Sequence, residues 1–430
     1  MRPIATNLAD FEALRKAGQI YVDKTAWLHR LVTHPSCSFF FLARPRRFGK
    51  SLAVTTLKSI FLGHRDKFEG LAIARTDYDW RPHAVIHFNW GGVDASSLEN
   101  FDATFPGTVE RALVAAGAAY DPAKRPSENL AIAIQCLYAK DGIGPAILID
   151  EYDDPVAKSL KDPDRAETIR DRLAAIYAQF KDNSGKSRFL YITGVSKFTK
   201  LSVFSALSSL NDISFDDAYA DMLGYTEEEL DANFAEHMSA HAAKMGLSDA
   251  AYRAELKRWF NGYRFARKNP VTVYNPVSIN LSLVKCEDEF RGTWTQTGRP
   301  SMLMNFIRRE GLLAIDYEKG VSVGEDAFDV TDIRHLRAVA MLYQTGYLTI
   351  SDYADGSYTL NVPDEEVRRD LLTLVAAQSA EQDEYWVGQI RAKGYAEPYF
   401  ADGRPVYAIG LGFDAATRHL VDAAVEQIKN

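Results

Sequence analysis

The sequence predicts an α/β fold built on a mainly parallel sheet. Three observations carry that expectation. The apolar runs Phe39–Ala43, Ala146–Ile149 and Arg188–Thr193 have the length of buried strands. Helical patterns separate them. Each run leads into polar, charged or glycine residues, placed where ligands meet the carboxyl edge of such a sheet.

The elements follow in chain order. Asp10–Lys16 and Thr25–Thr33 read as helices, with Ile20-Tyr-Val-Asp-Lys24 between them. Lys24 reads as a weak candidate for approaching the nucleotide base or a packing helix, being a lone exposed lysine. Phe39-Phe-Phe-Leu-Ala-Arg-Pro-Arg-Arg-Phe-Gly-Lys-Ser-Leu52 then runs from a strand through a loop into a helix. That order is the context of a phosphate-binding P-loop. In such a loop the backbone N–H groups converge on one hollow, and the helix N-terminus adds partial positive charge there. Lys50 is expected to reach the β/γ-phosphates and the Ser51 hydroxyl to bind Mg²⁺. Arg46, Phe48, Gly49, Lys50, Ser51 and Leu52 form the expected nucleotide-contacting set. One position departs from the pattern: Arg44 stands where the first glycine is expected. Gly49 keeps the close bend around phosphate, and Pro45 sets its own φ near −65°.

Ala84–Phe88 is the next expected strand, and Leu98–Gly117 and Glu128–Tyr138 are expected helices. The Ala146–Ile149 run ends in Asp150-Glu151, the Walker B arrangement. Asp150 would hold Mg²⁺ beside Ser51, and Glu151 would polarise an attacking water as general base. A helix is expected over Glu167–Lys181. The strand ending at Thr193 then leads into Gly194-Val-Ser-Lys-Phe198. Thr193 is the candidate for contacting the γ-phosphate or the water, with Ser196 second; a local hydrogen bond at a strand end is the alternative.

Composition narrows the class. The chain has 430 residues, 47% hydrophobic and 25% charged, with ample material for a core and a length that suggests two to four domains. Its formal net charge of −8 does not support DNA as a partner. The dense basic cluster, Arg44, Arg46, Arg47 and Lys50, lies inside the loop itself, where nucleotide phosphate explains it. Three widely spaced cysteines argue against a disulfide framework and fit a cytoplasmic location. No Cys/His cluster has zinc spacing. Met1–Asp10 lacks the apolar segment of a signal peptide, and no run approaches the roughly 18 apolar residues of a membrane span.

After about residue 216 the pattern changes. Glu227–His237 and Ala250–Phe260 read as helices, and Thr226 with Glu229 offers a capping box. Trp259-Phe-Asn-Gly-Tyr-Arg-Phe265 and Tyr274-Asn-Pro-Val-Ser278 are aromatic, turn-rich motifs, with a helix expected after Asn275-Pro276. Arg264 is either a cation reaching the nucleotide or an arginine stacked on neighbouring aromatics. Leu342–Ile350 and Ser357–Val362 read as a hairpin after helices, which suggests a winged-helix unit acting as a lid.

These residues together resemble bacterial AAA-ATPase-like proteins, usually fused to a C-terminal PD-(D/E)xK nuclease-like domain. The resemblance is carried by Tyr21-Val-Asp-Lys-Thr25, Arg44–Ser51, Leu148-Ile-Asp-Glu-Tyr-Asp153, Ile192–Phe198, Leu210-Asn-Asp-Ile213, Leu223–Leu230, Trp259–Tyr263, Tyr274-Asn-Pro276 and Gln344–Leu348. It implies a RecA-like P-loop core with a helical and winged-helix extension, and it makes Arg44 a family trait. The expected division is a P-loop domain over 1–215, a helical extension over 216–300, a winged-helix-like lid over 301–362 and a nuclease-like remnant over 363–430. The tail departs from the nuclease pattern. Pro363-Asp364 leads into a helix start, Lys393 has no acid two residues before it, and the last segment reads as a helix with Leu420, Val421, Ala424, Val425 and Ile428 on one face. The remnant is therefore expected to be inactive.

The expectation is an ATP-binding, Mg²⁺-dependent NTPase acting as switch or motor. Lys50 and a second cation would neutralise charge developing on the phosphate. Arg46 or Arg47 could supply that cation in cis, or a partner subunit of a homo-oligomer could do so; a protein partner is the other interaction considered. The alternative is a non-hydrolysing, nucleotide-stabilised interaction protein that uses its winged helix on DNA or a partner.

Overall fold

A computed structural model describes residues 1–6, 9–197, 209–294, 319–328, 337–373, 406–413 and 420–429. At its centre is a parallel sheet of β1 (Phe39–Ala43), β2 (Val85–Asn89), β3 (Ala146–Asp150), β4 (Phe189–Gly194) and β5 (Asn211–Asp212), in the spatial order β2-β3-β4-β1-β5. β1, β3 and β4 are buried at every position, which explains their continuous apolar sequence. The registers Leu42↔Thr193 and Asn89↔Asp150 bring the carboxyl ends of the strands to one edge.

The helices associated with this sheet include α1 (Phe11–Lys16), α2 (Thr25–Val32), α3 (Lys50–Phe61), α4 (Leu98–Ala115), α5 (Pro126–Asp141), α6 (Asp154–Ser159) and α7 (Pro163–Asp182). Local chemistry sets their starts. Asp10, Ser97 and Asp162 accept hydrogen bonds from the backbone N–H groups of Ala13, Asn100 and Arg165. Pro126 and Pro163 occupy first turns, where a missing N–H costs nothing.

Beyond the sheet, Glu227–Met245, Asp249–Phe260 and Pro276–Lys285 are helices. Both halves of the Thr226/Glu229 capping box are formed, and Asn275 caps the helix that begins at Pro276. These helices bury Phe234, Trp259 and Phe260 in an apolar cluster that also takes in Ile20 and Val22 from the N-terminal segment. A larger cluster joins the central sheet to Val323, Tyr343, Tyr358 and Leu371.

Two expectations fail here. Leu342 opens no strand: Ala338–Thr345 is a helix, ended by Gly346 at φ +88°, and the hairpin comprises β9 (Thr349–Ala354) and β10 (Ser357–Asn361). Every residue of that helix but Thr345 is buried, so its sequence shows no period that separates helix from strand. A further strand, β8 (Val321–Gly324), pairs with β10. Residues Leu420–Lys429 likewise form a strand, β12, antiparallel to β11 (Val406–Phe413), and not a helix. Their backbone groups bond to a partner strand, a nonlocal pairing that overrides the local helical pattern. Phe198, Lys393 and Asp414 lie outside the described residues. Among the described residues no helix is long and apolar enough to cross a membrane.

Candidate nucleotide site

The loop after β1 turns into α3 through Gly49, whose φ of +87° places it in the left-handed region. A Cβ there would meet nothing within 4 Å, so the backbone angle, not space, calls for glycine. Arg47 is also left-handed, at φ 71°. Lys50 is buried and folds back over the loop, its Nζ donating to the carbonyls of Arg44 (2.9 Å) and Pro45 (2.8 Å). Burial pushes its pKa down to about 8, against the opposing pull of Asp150, Asp153 and Glu151.

Arg44 does not join the phosphate hollow. It is buried, stacks over Phe265 at 4.2 Å, and donates to the carbonyls of Ala43, Ser214 and Tyr219. Phe48 packs edge-on to Tyr263 and Phe265 at 4.8 and 5.1 Å. Gly346 packs where a Cβ would lie 2.9 Å from Pro45 Cβ, and its carbonyl accepts from Tyr263 Oη. The loop therefore has an inner face, Gly49-Lys50-Ser51, and an outer face anchored among distant aromatics.

Asp150 ends β3, buried, with the Ser51 hydroxyl and Lys50 beside it; burial holds its pKa above the usual carboxylate range. Two hard oxygen donors side by side are a donor set that suits Mg²⁺. Glu151 follows at φ 54°, an unusual angle for a non-glycine residue. Its side chain lies against Gly91, where a Cβ would come within 1.6 Å of Oε2. Burial, then Asp150 and Asp154, raise its pKa, the direction a general base near neutral pH requires. Gly91 is thus needed for the Glu151 placement, and sequence reading missed it because one glycine carries no motif.

The neighbouring motifs hold each other. Asp153, buried, accepts from the N–H groups of Val195 and Ser196 and from the Ser196 hydroxyl, and Tyr152 Oη donates to the Ser196 carbonyl. Thr193 is fully buried, and its hydroxyl donates to the Leu42 carbonyl at 2.8 Å. The hydroxyls of Thr193 and Ser196 are thus bonded within the protein. Arg47 Nη1 donates to the Thr293 carbonyl at 3.1 Å. Arg264 donates to the carbonyls of Ala266, Arg267 and Ser351. Arg46 faces Asp154 at 3.9 Å, and Lys158 pairs with the same carboxylate.

The loop's inner face opens on a cavity of about 480 Å³, within the range of small-molecule sites. Arg46, Arg47, Phe48, Gly49, Lys50, Ser51, Glu151 and Lys158 are among the residues that line it. Ile20, Val22, Leu28, Tyr225 and Pro276 add apolar and aromatic surface. Lys24 also lines it, and it is not a lone exposed residue. It is buried and bonded to Glu229 at 2.7 Å and to the Asp221 carbonyl at 2.8 Å. The Tyr21–Thr25 motif was the available signal for this wall.

The parallel sheet, the loop-to-helix turn and the cavity at the carboxyl edge define a P-loop NTPase-like core. Residues 3–204 match the family model described as AAA-ATPase_like: Predicted AAA-ATPase. A protein of Azotobacter chroococcum mcd 1, named "Uncharacterized protein in vnfD 5'region", is 36% identical over 361 residues, 82% of this chain. The chain spans 65% of that relative's length.

Proposed function

We propose that this chain binds ATP with Mg²⁺ and hydrolyses it as a switch or motor. One observation supports the reading: Gly49-Lys50-Ser51 and Glu151, about a hundred residues apart in sequence, line one cavity together with apolar and aromatic side chains, and Asp150 lies beside Ser51. The polar lining suits a triphosphate and the apolar lining a base. Ser51 and Asp150 would hold the Mg²⁺, which when bound neutralises phosphate charge.

The chain's own residues do the rest. The N–H groups at the start of α3 point at the phosphates. Lys50 exchanges the Arg44 and Pro45 carbonyls for phosphate oxygens. Glu151 takes the proton of the attacking water. Arg46, at the rim with Lys158, is the cation in cis that this reading favours for the developing charge. Nothing in it requires nuclease chemistry from residues 363–430.

The test is phosphate release by purified protein with ATP and Mg²⁺, beside equilibrium binding of a fluorescent ATP analogue. Binding with turnover that is lost in Glu151→Gln supports the reading. Binding without any turnover would instead favour a nucleotide-stabilised interaction protein, and no binding would remove the site altogether.

A further inference from the structure

The outer face of the nucleotide loop is tied to a buried carboxylate far away in sequence. Glu366 lies in a helical stretch over 365–373 and is 2% exposed. Its Oε2 accepts from the Ser278 hydroxyl at 2.6 Å. Its Oε1 accepts from the Thr293 backbone N–H at 2.6 Å and the Thr293 hydroxyl at 3.2 Å. The carbonyl of that same Thr293 accepts from Arg47 Nη1. Glu366 also attracts the Arg47 guanidinium, which is partly stripped of water.

The neighbouring loop residues are held in the same direction. Asn275 Nδ2 donates to the Arg46 carbonyl at 3.4 Å, and Phe48 packs against Tyr263 and Phe265. Arg46, Arg47 and Phe48 are thus gripped by residues between 263 and 366. What the grip stabilises is specific. Arg47 is a non-glycine residue in the left-handed region, two positions before the left-handed Gly49. Such a conformation persists only where surrounding contacts over-determine it. The bend at Arg47 sets the direction in which Gly49, Lys50 and Ser51 leave the loop.

We propose that Glu366 is a positioning residue for the nucleotide. Through Thr293 and Arg47 it fixes the bend that aims the phosphate-binding N–H groups, and it thereby links nucleotide occupancy to the 365–373 helix. The proposal rests on the reading that Gly49–Ser51 hold nucleotide phosphates. Arg47 on this account is a tether and not a finger on the phosphate.

The experiment compares the wild-type chain with Glu366→Ala, Glu366→Gln, Arg47→Ala and the Arg47→Ala/Glu366→Ala double variant. The readout is affinity for a fluorescent ATP analogue with Mg²⁺. Gln keeps an acceptor for Thr293 and the same shape. The expected result is about tenfold weaker binding for each alanine variant, with the double variant no weaker than the weaker single and Gln within about threefold of wild type. Wild-type affinity in Glu366→Ala, or losses that simply multiply in the double variant, would overturn the proposal. Should Glu366→Ala fail to fold, hydrogen exchange in the wild-type chain decides. Slowing of exchange over 365–373 on adding the analogue supports the link, and unchanged exchange there overturns it. A wild-type chain that does not bind the analogue at all removes the nucleotide reading itself.

Discussion

Lys50 Nζ lies 2.8 Å from the carbonyl oxygen of Pro45, so the loop's lysine is bonded to its own loop. Its pKa there is pushed down to about 8 by burial. Phosphate would favour the charged form. Nucleotide affinity should therefore be level below about pH 8 and fall above it, approaching about tenfold per pH unit. Titrating a fluorescent ATP analogue between pH 7 and 9.5 checks this. Lys50→Ala should lose binding altogether. Affinity unchanged to pH 9.5 would exclude Lys50 as the phosphate ligand.

Glu151 sits at a left-handed backbone angle with its carboxylate against Gly91. Glu151→Gln should bind nucleotide within about threefold of wild type and turn over about 10²–10⁴-fold more slowly. Wild-type turnover in this variant would sink the general-base role. Gly91→Ala should lower turnover too, because its methyl group would occupy the carboxylate's place.

The Lys24–Glu229 pair joins the N-terminal segment to the capping box of the Glu227–Met245 helix. Both side chains are largely buried, at 10% and 18% exposure. Glu229→Ala should cost about 3 kcal/mol, since it leaves a buried ammonium and removes half of the cap. Lys24→Met, which keeps the stem and removes the charge, should cost less than Lys24→Ala. Urea denaturation of the three variants measures the order.

Arg44→Gly would restore the glycine of the P-loop pattern and yet should destabilise the chain by on the order of 3 kcal/mol. It empties the space over Phe265 and leaves the Ser214 and Tyr219 carbonyls without their charged donor. A melting temperature equal to wild type would contradict the assigned core role.

Thr193→Val removes one buried hydroxyl and keeps the side chain's shape. The lost bond to the Leu42 carbonyl should cost about 1 kcal/mol. Turnover should stay within about threefold, because that hydroxyl is bonded inside the sheet. A loss of about a hundredfold in turnover at unchanged nucleotide affinity would return Thr193 to the catalytic set.

Much of the site was legible because its signals are local. A strand that is buried on both faces has to be apolar throughout, so β1, β3 and β4 announce themselves. Gly49 is required by its own φ, and Asp150 and Glu151 by the end of the strand that carries them. The partners of Arg44, Arg47 and Lys24 were not legible, since a charged residue's neighbours are set by chain crossings hundreds of residues away. The Ala338–Thr345 helix and β12 were misread for a related reason. A helix buried on nearly every side shows no period, and a strand can take its hydrogen bonds from a partner that local pattern does not reveal.

By itself, the sequence determined the α/β class, the strand-loop-helix turn at Gly49-Lys50-Ser51 and the acids at the tip of β3, because each depends on residues within one element. Only the tertiary structure decided that β4 lies between β1 and β3, that Ile20 and Tyr225 line the cavity with the loop, and that Arg44, Arg47 and Phe48 find partners far away in sequence. The physical reason is desolvation. A buried cation or a strained loop must be satisfied by whatever the rest of the chain packs against it, and that packing is settled only when the whole molecule folds.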